Sequence, residues 1–513
     1  MAHNGTQKRK TPRKSAVSKA ALRRSAAGGS VAQSHKPASK ADLAGALANR
    51  SKVDFLDPFM RHAAMQAKGI SLCAFLVTLA AFQRGLKVTF HYERASLDPR
   101  FAKAKMQGHR GELFSISNGT RTHTFSRTLG DLTDPAANAI AEDKHLTKAA
   151  LKRSGVHTPE GIVVDKGQTE PIVRLIAQHP NGHFVVKPSA GSIGKDVHTD
   201  LPANEVLDLA TSLNDDRLVI EEHVSGEEFR ALVVAGRCVA TYRRYAANII
   251  GDGHSSIRAL ISQKNTVRKQ NPYLETQLIG NESKIVTFLA RTGLTLDCVP
   301  SAGKRVFLSG AANIALGGDP LEVTNDVDPI VSAVAEQACN AIGIPVAGLD
   351  LILSHEGDQS VCYVLEINQR PHIGGHSLPM EGPGQGNAVA EAIVDYYFPE
   401  TIHNPTHANL AYDFGPIRAA LESAQISELS LPIISPDWKV LRFAETGIAA
   451  KVMAKLIETA GRTAGLFTMS APHGKGGVAL CLAYAPANCR NMLSVIPAQF
   501  RRRLEQLDAE VNG

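Results

Sequence analysis

The sequence has 513 residues, of which 43% are hydrophobic and 20% are charged. This composition supplies cores for about three domains, and glycine and proline without a period exclude a collagen-like or low-complexity chain. Seven cysteines without a Cys-x-x-Cys pair argue against a disulfide scaffold or a zinc ribbon, so we expect a reducing compartment, the cytoplasm.

The net charge of +7 is unevenly distributed along the chain. Residues 1–40 contain ten lysines or arginines and no acid, whereas the remaining 473 residues carry about −3. Such a segment cannot bury enough apolar surface to offset its ordering entropy, so residues 1–50 are predicted to be a disordered basic tail. A solvated leader, a weak polyanion contact and an organelle-targeting leader are the alternatives. No aromatic residue stands among these charges, which argues against nucleic-acid binding by base stacking.

Residues 51–140 predict a small α/β domain. The longest apolar run of the chain, residues 70–82, is too short for the ~20 residues of a membrane span, so it predicts a buried helix and no membrane partner. Gly85 would end this helix, because glycine tolerates the positive φ of a C-cap. An alternating strand follows, and Asn118-Gly119 is a strong signal for a β-hairpin.

Strands and helices follow more densely between residues 141 and 400. Helices are predicted over 143–154 and 329–342, and strand pairs predict two β-hairpins, with turns at 235–237 and 355–360. The long polar connection between these groups, Asn248 to Val299, predicts either a helical insertion or a mobile loop.

Residues 401–513 begin with a proline-bearing linker. The order β-α-β-β-α then predicts a compact, ferredoxin-like α/β module. No residue of this module can be assigned to chemistry.

Lys187 ends an apolar strand, HFVVKP, and is followed by a loop, Ser189–Lys195, that contains two glycines and a second lysine. Backbone amides and ammonium groups in such a loop can surround phosphate groups. The sequence contains no GxxxxGK[ST] pattern, so the loop is not a Walker A motif. Considered alone, the loop is explained somewhat better as a surface turn with an incidental lysine.

Three oxygen-bearing side chains are predicted to converge on the second hairpin. Glu366 and Asn368 are two residues apart on one strand and so share a face. If the turn is centred near residue 358, Asp350 lies opposite Glu366. Two carboxylates and an amide oxygen suit Mg²⁺, whose remaining positions are usually taken by water and substrate phosphates. The apolar context makes two uncompensated acids a costly alternative.

In this order the segments VVKPSAGSIGKDV, VIEEHVSGEEFR, GLDLIL and VLEINQRP resemble the ATP-grasp ligases. The resemblance extends from about Asp143 to Pro399 and is greatest to the ATP-grasp domains of cyanophycin synthetase and of bifunctional glutathione synthetases. It implies an α/β (α+β) ATP-grasp fold over 141–400. Further matches are AANIALGG and His376 in the segment GGHSLPMEGPGQGN.

The resemblance also implies site residues. Those expected to contact ATP are Lys144, Lys187, Ser189, Gly191, Ser192, Gly194, Glu221, Glu222, Val224 and Glu228. Asp350, Glu366 and Asn368 would bind Mg²⁺, for which Mn²⁺ could substitute. Arg230, Arg244 and Asn313 would stabilise an acyl phosphate and the substrate.

The implied activity is that of an ATP-dependent carboxylate–amine ligase, which forms an amide through an acyl phosphate. Its partners would be small-molecule or peptide acids and amines. The sequence leaves open whether the chain forms a homo-oligomer. The alternative is a non-catalytic, ATP-binding regulatory protein, but a degenerate member should have lost part of the metal set, which is intact.

Two departures from the resemblance concern the substrate. The Mur-ligase-like half of cyanophycin synthetase, with its own P-loop, has no counterpart among residues 401–513. Residues 369–376 also lack the basic residue that the relatives place just before the histidine matching His376. The identity of the acid and of the amine therefore does not follow from the resemblance.

Overall fold

The computed structural model describes residues 57–92, 110–189, 197–357, 359–445, 467–473 and 477–485, with Lys451, Ala454, Lys455 and Thr459. The chain divides into two units, residues 1–50 and 51–513, and every described residue lies in the second. The predicted basic tail lies outside the described residues.

The described chain contains both helices and strands. The helices are α1 (Pro58–Gln66), α2 (Ser71–Gln83), α3 (Pro135–Glu142), α4 (Lys144–Arg153), α5 (Glu170–Gln178), α6 (Ala203–Ser212), α7 (Ile257–Arg268), α8 (Glu282–Ala290), α9 (Pro329–Ile342), α10 (Gly374–Ser377), α11 (Ala388–Tyr397) and α12 (Phe414–Glu422). The strands are β1 (Lys87–His91), β2 (Leu113–Ser117), β3 (Thr122–Ser126), β4 (Leu129–Gly130), β5 (Gly161–Asp165), β6 (His183–Pro188), β7 (His198–Pro202), β8 (Arg217–Glu222), β9 (Glu227–Val234), β10 (Arg237–Tyr245), β11 (Asn248–Ile250), β12 (Arg305–Phe307), β13 (Asp319–Glu322), β14 (Val346–Glu356), β15 (Gln359–Asn368), β16 (Glu428–Ser430), β17 (Lys439–Glu445), β18 (Phe467–His473) and β19 (Gly477–Tyr484).

The first sheet is antiparallel, in the order β16-β1-β2-β3-β4. The predicted hairpin at Asn118-Gly119 joins β2 to β3, and α2 is buried along its whole length, as its apolar run predicts. The edge strand β16 comes from the segment that the sequence predicts as a linker. β16 has only three residues and pairs with β1, which is distant in the sequence, so it leaves no local periodicity from which to predict it.

The second sheet is antiparallel, in the order β13-β10-β9-β14-β15. It contains both predicted hairpins, β9–β10 and β14–β15. Apolar residues on one of its faces pack on α9. The bounds of α9 are those predicted, because Asp328 caps its N-terminus and Gly343, with φ of 77°, ends it.

The third sheet has four antiparallel strands in the order β5-β8-β6-β7, and α5 and α6 pack against it. The helix predicted over 143–154 is α4, which begins after its N-cap, Asp143. Sheets of mainly antiparallel strands with helices on their faces confirm the predicted mixed α/β class.

The long polar connection is a folded insertion, which is one of the two forms that the sequence left open. It contains α7, α8 and the pair β11–β12 around an apolar core of its own. Arg268 on α7 and Asp319 on β13 are both fully buried and lie 2.6 Å apart. Lys264 also binds Asp319. Because breaking a buried ion pair is costly, this contact fixes α7 against the second sheet.

The C-terminal strands form an antiparallel sheet in the order β17-β19-β18. Phe467 on β18 packs against Phe82 of α2, with ring centroids 5.2 Å apart. Most of the first predicted helix of this module, and all of the second, lie outside the described residues. No helix in the described part of the chain is long and apolar enough to cross a membrane.

Candidate active site

The polar residues predicted for catalysis and metal binding lie on one face of the second sheet. Arg230 is directly opposite Asp350, and Asp350 is directly opposite Glu366. Direct partners in antiparallel strands point to the same face, and so do residues two apart along a strand. Arg244, two residues beyond the partner of Arg230, and Asn368, two residues beyond Glu366, therefore join this set, which we call the polar face.

The alternation of side chains across the sheet explains why these charged groups are separated from the apolar core around α9. Alternating residues such as Phe229, Ala231 and Leu349 point away from the polar face and pack in the apolar core around α9. The alternation of strand side chains therefore directs these apolar residues into the core and the charged residues to the other face. The register of β14 and β15 confirms the predicted pairing of Asp350 with Glu366 across the hairpin.

Two arginines bind the carboxylate of Asp350. Arg230 and Arg244 both donate to its Oδ1, and the Arg244 distance is 2.7 Å. Burial alone would raise the pKa of Asp350, but the two guanidinium charges outweigh it and hold the pKa below its ordinary value. Asp350 is therefore ionised at neutral pH.

Gly348 gives Arg230 the room for this contact. A β-carbon at Gly348 would lie 2.7 Å from a terminal nitrogen of Arg230 and 2.8 Å from the β-carbon of Pro371. Even an alanine at this position would displace the guanidinium.

The three predicted metal ligands have donor chemistry that fits a hard divalent cation. Glu366 and Asn368 are half-buried, and neither side chain has a hydrogen-bond partner among the described residues. Both arginine contacts fall on Oδ1 of Asp350, which leaves Oδ2 available. Within the described part of the chain, no group of three His, Cys, Asp or Glu side chains could hold a metal ion. Two carboxylates and an amide therefore fit only a cation that draws further ligands from water or phosphate.

A cavity of about 370 Å³ lies between the third sheet, α4 and the end of β15. It brings together four of the predicted residues: Lys144, Lys187, Glu221 and Glu366. Its remaining lining is mainly apolar, with side chains that include Ile162, Val163, Leu151, Val219, Val364 and Ile367. A mainly apolar cavity that is also lined by ammonium and carboxylate groups suits a flat heterocycle that carries phosphates.

Glu221 is the buried centre of the charges in this cavity. It binds Lys187, and Lys148 donates to its Oε2 over 2.5 Å. Burial would raise the pKa of Glu221, but Lys187 and Lys148 outweigh this effect and hold the pKa below its ordinary value. Lys148 was not among the residues predicted from sequence, although its position four residues after Lys144 places both on one side of α4.

We expect Glu221→Gln to destabilise the protein by about 1–3 kcal/mol at pH 7, because two ammonium groups lose their shared partner but remain partly hydrated. The folded-state pKa of Glu221 lies below its unfolded value of about 4.3, so its stabilising effect is complete above that pH and is lost as the pH falls further. Thermal melts from pH 3 to pH 7 measure this difference. It should shrink below about pH 4.3, and an equal Tm at pH 7 would contradict the pairing. Glu170→Gln, which removes an exposed carboxylate, is the control.

The remaining ATP-site candidates are dispersed along β8, β9 and the loop after β6. Glu222 accepts a hydrogen bond from the Glu160 amide at 2.9 Å, and Val224 is half-buried beyond the end of β8. Burial raises the pKa of Glu228 although Arg244 opposes it, so Glu228 lies within reach of the polar face. Neither Glu222, Val224 nor Glu228 lines the cavity.

The other candidates are only partly described. The Ser189 amide donates to Arg217 O at 3.0 Å, whereas Gly191, Ser192 and Gly194 lie outside the described residues. Asn313 caps a short 3₁₀ turn through its Oδ1, which accepts from the Ala315 amide at 2.9 Å.

His376 is buried at the polar face, and the sequence predicts no role for it. Its ring lies 4.6 Å from that of Tyr242, and only 1% of the residue is exposed. Burial and the nearby charges of Arg230 and Arg244 lower its pKa to about 3, so the ring is neutral at physiological pH. Neither ring nitrogen has a hydrogen-bond partner among the described residues.

The chain is similar to two groups of curated proteins. It is 29% identical over 348 residues to the glutathione biosynthesis bifunctional protein GshAB of Streptococcus mutans, which covers 65% of this chain and 43% of the relative. It is 28% identical over 296 residues to cyanophycin synthetase of Trichormus variabilis, which covers 56% of this chain and 32% of the relative. The chain thus spans less than half the length of the curated relatives it matches. These relatives confirm the predicted resemblance.

Among solved structures, a bifunctional glutathione synthetase from Pasteurella multocida matches with a TM-score of 0.45 and 21% identity over 56% of this chain and 40% of its own. D-alanine–D-alanine ligase from Bacillus anthracis matches with a TM-score of 0.33 and 15% identity over 56% of this chain and 72% of its own. No protein-family profile matches the chain.

Proposed function

We propose that this chain is an ADP-forming carboxylate–amine ligase of the ATP-grasp type. The proposal rests on one observation: the lysines that line the cavity and the arginines of the polar face are linked through Glu366. Lys144, Lys187 and Glu366 line the cavity. Glu366 stands directly opposite Asp350, which binds two arginines. A nucleotide in the cavity would therefore direct its phosphates toward guanidinium groups that can hold an acid.

In the proposed reaction, a carboxylate oxygen of the substrate attacks the γ-phosphorus of ATP and ADP leaves. The amine then attacks the acyl carbon, phosphate leaves, and the amide forms with loss of the amine proton. Lys144 and Lys187 would hold phosphate oxygens. Arg230 and Arg244 would orient the carboxylate and offset the negative charge that builds up on the acyl group. The bound metal would neutralise charge on the transferring phosphate.

Finer assignments are also part of the proposal. Asp350, Glu366 and Asn368 would hold Mg²⁺, and Mn²⁺ could replace it. Glu228 would meet the ribose, and Ser189 would begin the loop that covers the phosphates. The acid and amine would be amino acids or short peptides in the cytoplasm. A non-catalytic, regulatory ATP-binding protein is less well supported, because such a protein needs no metal set on the polar face.

The proposed division of the chain places an N-terminal α/β domain over 51–140, the ATP-grasp domain over 141–400 and a C-terminal module over 401–513. Pairing of β16 with β1 supports one change, in which residues 428–430 also contribute to the N-terminal sheet.

Purified protein with Mg²⁺-ATP and pairs of amino acids or dipeptides tests the proposed function. We expect ADP and phosphate to be released only when a suitable acid and amine are both present, and mass spectrometry to show a product one water lighter than their sum. Release of AMP and pyrophosphate would contradict it, because adenylation is a different chemistry.

A further inference from the structure

A second cavity, of about 340 Å³, lies in the folded insertion. One wall is formed by residues of α8 and the residue after it, and the other by residues 308–310, which follow β12. This cavity shares no lining residue with the nucleotide cavity. Its volume is in the range of cavities that enclose small molecules. The insertion therefore contains a binding place that the proposed function does not use.

Helical spacing places two cations on the side of α8 that faces this cavity. Lys284 comes four residues before Phe288 and seven before Arg291, so the three side chains share one side of the helix. Ile285 and Leu289, on the adjacent side, are buried in the apolar core of the insertion. Packing of these two residues fixes the rotation of α8, and Lys284 and Arg291 are directed to the cavity as a result.

Neither cation is neutralised by another described residue. The side chains of Lys284 and Arg291 have no hydrogen bond and no ion pair among the described residues, and none of the residues that line the cavity is acidic. Glu282 is the single acidic residue of α8, and Arg258 already donates to it at 2.7 Å. The cavity thus has two positive charges without a counter-charge, which suits an anion.

The opposite wall of the cavity adds backbone donors. The amides of Ser309 and Gly310 have no acceptor among the described residues. A β-carbon at Gly310 would lie 3.5 Å from the ring of Phe288, so this segment approaches α8 closely. The hydroxyl of Thr287, in contrast, already donates to Ser283 O at 2.9 Å. Successive amides that point into a concave site are a common way to bind an anion.

We propose that this cavity binds a small anion through Lys284, Arg291 and the amides of Ser309 and Gly310. The ligand carries a phosphate or a carboxylate group, because the oxygen atoms of either group accept charge-assisted hydrogen bonds from ammonium, guanidinium and amide donors. The site is separate from the nucleotide cavity, and the inference does not depend on the proposed function.

Broadening of the ³¹P resonance of inorganic phosphate measures this binding. The full chain is titrated with phosphate in the presence of Mg²⁺ and a non-hydrolysable ATP analogue, which keep phosphate out of the nucleotide cavity. We expect saturable broadening that weakens as salt is added, because salt screens exposed charges. Lys284→Gln and Arg291→Gln should each raise the Kd for phosphate by about 2–5-fold, the contribution of an ion pair that stays partly exposed to water. Both side chains are exposed, so Tm should stay unchanged.

Competition identifies the group that the cavity prefers. Succinate, a dicarboxylate, is added to the protein with phosphate bound. Displacement of phosphate by a lower concentration of succinate than of phosphate assigns the site to a carboxylate ligand. Displacement that needs a higher concentration assigns it to a phosphate ligand.

Gly310→Leu distinguishes a cavity from a merely basic surface. A leucine side chain here would extend toward Phe288 and fill the cavity, while both cations remain in place. This variant should therefore lose saturable binding, whereas attraction to surface charge alone would persist. Lys269→Gln is the matched control, because Lys269 is an exposed lysine of the same insertion that does not line the cavity. It should leave the Kd unchanged.

Three results would overturn the inference: no saturable broadening in the wild type, an unchanged Kd in both charge variants, or an unchanged Kd in Gly310→Leu. None of them bears on the proposed function, which is tested by ADP release.

Discussion

Glu366→Gln should lower the rate of ADP release at least about 100-fold, even at saturating Mg²⁺, because a metal clamp on a transferring phosphate contributes several kcal/mol. The substitution keeps the shape of the side chain and removes one of the two carboxylate charges proposed to hold the cation. The metal concentration at half-maximal rate should rise as well. Steady-state ADP release over a Mg²⁺ titration measures both effects.

Stability should respond in the opposite way to activity. Glu366 has no hydrogen-bond partner in the described part of the chain, so removal of its charge costs no contact. We expect an unchanged or higher Tm, as is common when a functional site trades stability for activity. Glu160→Gln removes an exposed carboxylate outside the cavity and should change neither activity nor Tm. Normal turnover of Glu366→Gln at saturating Mg²⁺ would remove Glu366 from the site.

Local patterns predicted those parts of the site that local geometry determines. The pairing of Asp350 with Glu366 follows from strand alternation and a short turn, so the sequence was sufficient to place both acids on one face. The bounds of α9 follow equally from a capping aspartate, a proline in the first turn and a terminal glycine.

Contacts between distant segments could not be predicted in this way. Asp350 binds Arg230 and Arg244, which are 120 and 106 residues away, and Lys148 reaches Glu221 across 73 residues. Neither periodicity nor spacing along the chain predicts which charged residues the fold brings together.

Arg244→Ala should abolish acyl transfer and leave nucleotide binding intact. Arg244 lies on the polar face and does not line the cavity, so ATP should still bind. The fold should also survive, because Arg230 continues to neutralise Asp350 when Arg244 is removed. Arg243→Ala is the matched control, since this neighbour pairs with Glu227 and stacks over Tyr245.

Hydroxylamine provides the decisive measurement, because it intercepts an acyl phosphate as a stable hydroxamate. With its acid, Mg²⁺-ATP and hydroxylamine in place of the amine substrate, the wild type should form hydroxamate and ADP in equal amounts. Arg244→Ala should form neither above background, while fluorescent ATP analogues bind with wild-type affinity. The reason is electrostatic: with one guanidinium left, the carboxylate that attacks phosphorus is neither oriented nor balanced in charge. If Arg244→Ala formed hydroxamate at the wild-type rate, Arg244 would have no part in activating the acid, and Arg230 alone would carry that role.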